Sequence, residues 1–201
     1  MSRALPMNTP EPSTPKGRST AARILDAATV VLGRDGMGGA TLGRIADQAG
    51  VDKRNISYYY GSREALLVRV VQAVGEQMAR GMEATIGEIE RSNAEVLWSG
   101  ATSEPELARA YITLLGGSAE TPEIDHALTA LKQAWLHMIS SRLAHAGHPD
   151  DARDDLASLV LALLRGLLIE WTETGDGPVV DATLRRVDAL FTLPPVPPSD
   201  R

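Results

Sequence analysis

Six of the seven residues 53–59 carry groups that a nucleic-acid duplex can receive. Lys53, Arg54, Asn55, Ser57, Tyr58 and Tyr59 supply cationic, amide and hydroxyl donors with two flat rings, and no acidic residue occurs between Asp52 and Glu64. Cationic and hydroxyl donors meet phosphate oxygens, while guanidinium and amide groups pair with base edges in a major groove. Ile56, with Tyr60, gives the same stretch an inward side. Tyr58, Tyr59 and Tyr60 cannot all be core, because successive helical residues point about 100° apart. At least one of the three rings must therefore lie outside the core.

The residues around this stretch explain how it would be presented. Thr41 can cap a helix whose apolar positions Leu42, Ile45, Ala46 and Ala49 recur at helical spacing. Gly50 follows the last of them, where the chain must turn and a residue without Cβ is least strained. Val51 anchors the turn, and Asp52 offers a second cap for a short helix from Lys53 through Tyr59. Two short helices around a tight glycine-containing turn make a helix-turn-helix. Thr41, Arg44 and Arg63 flank the second helix and complete the candidate DNA-contact set.

The stretch 41–63 resembles the TetR family of bacterial repressors. The resemblance is carried by Thr41, Ile45-Ala46, Ala49-Gly50-Val51, Lys53, Tyr58-Tyr59-Tyr60 and Ser62-Arg63-Glu64-Ala65-Leu66-Leu67, with Ile24-Leu25-Asp26-Ala27-Ala28 ahead of them. It covers about residues 20–70; beyond it only length and helical character agree. Gly43 stands where many members aim a basic or polar residue at DNA, so that contact is expected to be missing. Ser57 replaces a frequent aromatic, and Gly61 a common Pro or Lys. The resemblance implies an all-α fold, with a three-helix DNA-binding domain followed by a larger helical domain for ligand binding and dimerisation. It further implies a homodimeric regulator, most simply a repressor, on a palindromic operator, released by a small effector. The helix beginning at Ser62 would be the lever that links the two sites.

Composition is compatible with this reading. The net charge of −6 divides into 11 Lys/Arg against 7 Asp/Glu through residue 80, and 9 against 19 thereafter. The basic footprint, +4, is thus confined to the end with the helix-turn-helix, and the remainder, at −10, discourages DNA from binding elsewhere. No apolar run is pure enough to span a bilayer, and the N-terminus lacks a secretory h-region. The absence of cysteine excludes disulfides and thiolate metal sites. A cytoplasmic protein is expected.

Taken in order, residues 1–19 are expected to form a Pro-rich disordered arm. Its Lys16 and Arg18 either reach DNA or remain solvated. The DNA-binding domain follows over 20–67, its first helix over about 20–33 broken by the glycine-rich 34–39. Residues 68–193 form the second domain, and 194–201 a Pro-rich tail. Helices are expected over 62–80, 82–98, 105–115, from Pro122 to the turn at 146–149, over 150–174, and from about Val180 to Phe191, with 99–103 a loop. The 150–174 segment is apolar around most of its circumference, wider than one domain of this size can bury alone. Leu156, Leu164 and Leu167, with Leu184, Val187 and Phe191, are therefore expected at a four-helix dimer interface.

For the effector, Met78, Met82, Trp98, Tyr111, Trp135, Met138 and Trp171 are candidate pocket walls, large or adaptable apolar groups with few polar handles. Each ring taken singly is equally at home in an ordinary core. Glu170 could contact a ligand, although a rim ion pair suits it better. His145 and His148 fall in an expected exposed turn without a further ligand, so no metal is implied. No cofactor motif, phosphate loop, nucleophile elbow or His-Glu-x-x-His is present, and no enzymatic activity is expected. One alternative stays open: a helical ligand-binding or interaction protein whose helix-turn-helix has lost its operator, for which Gly43 and the acidic bulk speak.

Overall fold

The computed structural model describes residues 14–84 (side chains to 81), 92–117, 121–175 and 177–192. Among these residues it has nine helices and no strand: α1 (Pro15–Gly39), α2 (Leu42–Ala49), α3 (Lys53–Tyr60), α4 (Arg63–Ala84), α5 (Asn93–Thr102), α6 (Pro105–Gly117), α7 (Pro122–His145), α8 (Asp150–Thr174) and α9 (Pro178–Thr192). The all-α expectation is met. Most of the expected arm (1–13), the Pro-rich tail and the Met82 side chain lie outside the described residues.

Three boundaries differ from the sequence reading, each for a local reason. α1 starts at Pro15 rather than near residue 20, because the Thr14 hydroxyl accepts from the Gly17 amide (3.1 Å) and Pro15 sits at the first helical position. Lys16 and Arg18 are therefore helical. The break in α1 falls at Gly36 (φ 74°, ψ 179°), a conformation other residues adopt only under strain. α5 runs through 99–102, expected as loop. Its start is fixed by a capping box in which Ser92 and Glu95 satisfy each other's backbone amides, at 3.2 Å each.

The chain divides into two compact units. One extends to Val71 and takes in Arg109–Asp125; the other holds Gln72–Ala108 and continues from His126. The division comes a few residues later in α4 than the expected 67/68, and the first unit also recruits a segment from the middle of the chain. α4 has residues in both units. The first unit's core is built from Ile24, Ala28, Val31 and Leu32 of α1 with Ile45, Ile56, Leu66, Leu67 and Val70, all fully or almost fully buried.

In the second unit α5, α8 and α9 pack together. α5 also lies so close to α4 that a Cβ on Gly81 would overlap Gly100 Cα. Gln77, a buried polar residue on α4, crosses the same junction. Its Nε2 donates to Gly100 O (3.2 Å) and to Ser103 Oγ (2.9 Å). His148 is buried rather than in an exposed turn: its Nε2 lies 3.1 Å from Phe191 O and ties the start of α8 to the end of α9.

α8 sorts its wide apolar surface in an unexpected way. Val160, Leu164, Leu167 and Leu168 are buried within the protomer, as are Leu184, Val187 and Phe191 of α9, and Leu156 is half-buried. The residues expected at a dimer interface are thus mostly spent on the chain's own core. Leu159 (45% exposed), Leu163 (37%) and Ile169 (45%) remain outside on α8, with Ala162 and Gly166 between them.

Candidate nucleic-acid interface

The interface begins at two caps and one turn. Thr41 Oγ1 accepts from the Arg44 amide (3.3 Å), and Asp52 Oδ1 accepts from the Arg54 amide (2.8 Å). Between them Gly50 takes the left-handed conformation (φ 63°, ψ 42°), and the Val51 amide returns to Ala46 O (3.0 Å). These bonds satisfy amides and carbonyls that helix ends leave without partners. The C-terminal end of α2 is also stapled from α1: the Arg23 guanidinium donates to Ala49 O and Gly50 O. A cation there suits the negative end of the helix.

α3 then divides cleanly. Ile56 is fully buried, and Tyr60 is half-buried with its phenol donating to Ala21 O of α1 (2.7 Å). Burial pushes the Tyr60 phenol up to about 12, so it is a neutral donor at ordinary pH. Lys53, Arg54, Ser57 and Tyr58 are exposed, and Asn55 and Tyr59 are half-buried. Tyr58 is 69% exposed, a large apolar ring held in water. It meets Tyr59 edge to face, with centroids 5.0 Å apart and planes at 83°. The surface of an eight-residue helix therefore exposes cation, hydroxyl and ring together, with the Asn55 amide half-buried beside them.

The flanking residues fare differently. Thr41 is exposed, and beyond its cap its O–H can still donate. Arg44 is exposed and pairs with Asp35 (3.3 Å); hydrogen bonding from Arg34 holds that carboxyl below its usual range. Arg63, expected among the DNA contacts, directs Nε at Ala40 O (2.7 Å), Nη2 at Met37 O and Nη1 at Glu64 (3.5 Å). It fastens the segment after the α1 break to the start of α4. The sequence reading missed Arg23 and Arg63 as struts because their carbonyl partners lie more than twenty residues away in the chain.

The candidate effector residues are less gathered. Trp98 (buried) and Trp171 (half-buried) meet edge to face at 6.1 Å, and Met78 lies against Gly100 on the same helix as Trp98. The Arg165 guanidinium lies 5.8 Å over the buried Trp135 ring. Met138 is half-buried and Glu170 exposed, while Tyr111 is buried in the other unit. A surface recess between α5 and α9, lined by Ser92, Glu95, Asp181, Leu184, Arg185, Asp188 and Ala189, involves none of them.

A capped helix-turn-helix with a donor-rich second helix, in an all-α chain, defines a DNA-binding transcription regulator. Residues 24–70 match the profile of the bacterial regulatory proteins, tetR family. Over residues 24–70 the chain thus carries a DNA-binding domain of the tetR type. No curated protein matches the sequence. Among solved structures, a TetR transcriptional regulator from Legionella pneumophila superposes with a TM-score of 0.70 at 17% identity, over 89% of this chain and 98% of that one. A transcriptional regulator from Rhodococcus sp. Rha1 gives 0.68 at 15% identity, over 85% and 93%. The multidrug binding protein EbrR, complexed with imidazole, gives 0.62 at 20% identity, over 89% and 97%. At these identities the likeness is one of fold. No helix among the described residues is long and apolar enough to cross a membrane.

Proposed function

We propose that the protein is a cytoplasmic, homodimeric repressor that binds a palindromic operator and is released by a small, largely apolar effector. The observation that carries the DNA half is α3, where Lys53, Arg54, Ser57 and Tyr58 are exposed and Asn55 and Tyr59 half-buried, without a carboxylate among them. Arg54 and Asn55 are the base readers in this reading, since guanidinium and amide groups make the discriminating contacts in a major groove. Lys53, Ser57 and Tyr59 hold the phosphates, with Thr41 and Arg44 from α2, and Tyr58 lies against the sugar–base wall.

The effector half rests on the Trp98–Trp171 pair with Met78, Trp135 and Met138, rings and thioethers suited to a flat apolar molecule. Structural likeness to EbrR, a multidrug binding protein, supports it. α4 has residues in both units and is the candidate for transmitting the signal.

Retention of a randomised duplex library on the purified protein tests the operator. Enrichment of an inverted repeat is expected. Salt-dependent retention without any enriched sequence would favour a protein that has lost its operator. Extraction of the purified protein and mass spectrometry of what it releases identifies the effector class.

A further inference from the structure

Gly43, at the second position of α2, has a specific neighbour. A Cβ built on it would stand 3.1 Å from Lys53 Cε and 3.2 Å from Lys53 Nζ, with Thr41 Oγ1 at 3.9 Å. The Lys53 side chain, rooted on α3, thus folds across the turn into the space that a side chain at 43 would fill. Its ammonium has no carboxylate partner among the described residues. It also stands beside the positive, N-terminal end of α2, where a cation gains nothing from the helix itself. An anion brought to this point would be held by the ammonium, by the exposed Thr41 hydroxyl and by the helix end together.

We propose that Gly43 and Lys53 act as one phosphate-binding unit, in which the contact that residue 43 cannot make is made by Lys53 reaching across from α3. The glycine then has a function: it keeps the gap through which the ammonium reaches the DNA backbone at the start of α2. Gly43 is not a lost contact but a relocated one. Lys53 serves this backbone contact and takes no part in reading bases. The inference rests on the DNA-binding reading above.

The test needs no operator, because a phosphate contact is blind to sequence. The full-length protein and its variants are titrated with a labelled duplex of mixed sequence across a series of potassium chloride concentrations, and log K is plotted against log salt. Lys53→Ala should flatten the slope by about 0.9 for each DNA-bound protomer. Gly43→Leu, which fills the gap and expels the ammonium, should flatten it to a similar degree. Gly43→Arg should restore the slope in the Lys53→Ala background, yet add less in the wild type, where two cations contend for one phosphate. Thermal melts of each variant confirm that the fold is kept; Lys53→Ala, at an exposed position, carries the test if Gly43→Leu does not fold. An unchanged slope in Lys53→Ala overturns the proposal, as does a Gly43→Arg substitution that is equally effective in both backgrounds. If the wild-type protein binds duplex DNA without salt dependence, the DNA-binding reading itself falls, an outcome distinct from failure of the Gly43–Lys53 unit alone.

Discussion

Each functional side chain of the first unit depends on a group that holds it from behind. Arg54 is exposed, and Asn55 half-exposed, because Ile56 and Tyr60 are fixed inward. Arg54→Ala or Asn55→Ala should cost about 1–3 kcal/mol of preference for the operator over mismatched DNA if that residue makes a bidentate base contact, read by competition binding. Tyr60 gives a pH test. Its phenol is raised to about 12 by burial, so between its usual value near 10 and about 12 the folded chain holds a proton that the unfolded chain has lost. Stability due to this group is complete below that window and is lost as pH rises through it. Tyr60→Phe should cost about 1 kcal/mol at neutral pH and flatten the alkaline limb in urea unfolding. Thr41 and Asp52 were legible in the sequence because a cap acts within three residues. Arg23 and Arg63 were not, because a guanidinium that serves a distant carbonyl has no local signature. Arg63→Lys should fail to replace the forked donors and should lower the unfolding free energy by about 1.5–3 kcal/mol.

At the scale of elements, helix order and most caps followed from periodicity and from Pro, Gly, Ser and Thr placement. What periodicity could not decide was which side of an all-round apolar helix faces inward. α8 shows this: Leu163 and Leu164 are neighbours of one type, yet one is 37% exposed and the other buried. α4 shows the complement, since a polar residue, Gln77, is buried there on Gly100 and Ser103. The glycines of α4 also differ from each other. At Gly75 a Cβ would stand 3.0 Å from Leu131 Cδ1, the end of a half-buried side chain that can move. There the gain in helix propensity, up to about 1 kcal/mol, should roughly offset the crowding in Gly75→Ala. At Gly81 the obstacle is the backbone of Gly100, which cannot rotate away. Gly81→Ala must part α4 from α5 and strain both Gln77 hydrogen bonds. It should destabilise the protein by about 1–3 kcal/mol despite the better helix former. Chemical denaturation of the two variants side by side checks the contrast.

In the proposed dimer two recognition helices meet one operator, which a single chain cannot do. A dimer reading successive major grooves needs them about 34–36 Å apart, so an effector that alters the separation by a few ångströms spoils simultaneous docking. Reciprocity then requires the operator to weaken effector binding by the same factor, about 5- to 150-fold for a coupling of 1–3 kcal/mol. We propose that such a dimer forms on the side of α8 that the protomer leaves uncovered. Leu159, Leu163 and Ile169 stand exposed there with the small Ala162 and Gly166, an apolar stretch bounded by the exposed Glu170 and open to close approach by a symmetry mate. The neighbouring position on the same helix separates assembly from folding. Leu164→Glu places a charge in the protomer's own core and should unfold it, because an unpaired buried carboxylate costs several kcal/mol. Leu163→Glu leaves that core intact and charges only the outer side. It should yield a folded monomer with native circular dichroism, about half the wild-type mass by sedimentation, and weakened binding to a full inverted repeat. Binding to a half-site should be much less affected, since each recognition helix remains whole. A Leu163→Glu protein that sediments as wild type would remove this side of α8 from the interface.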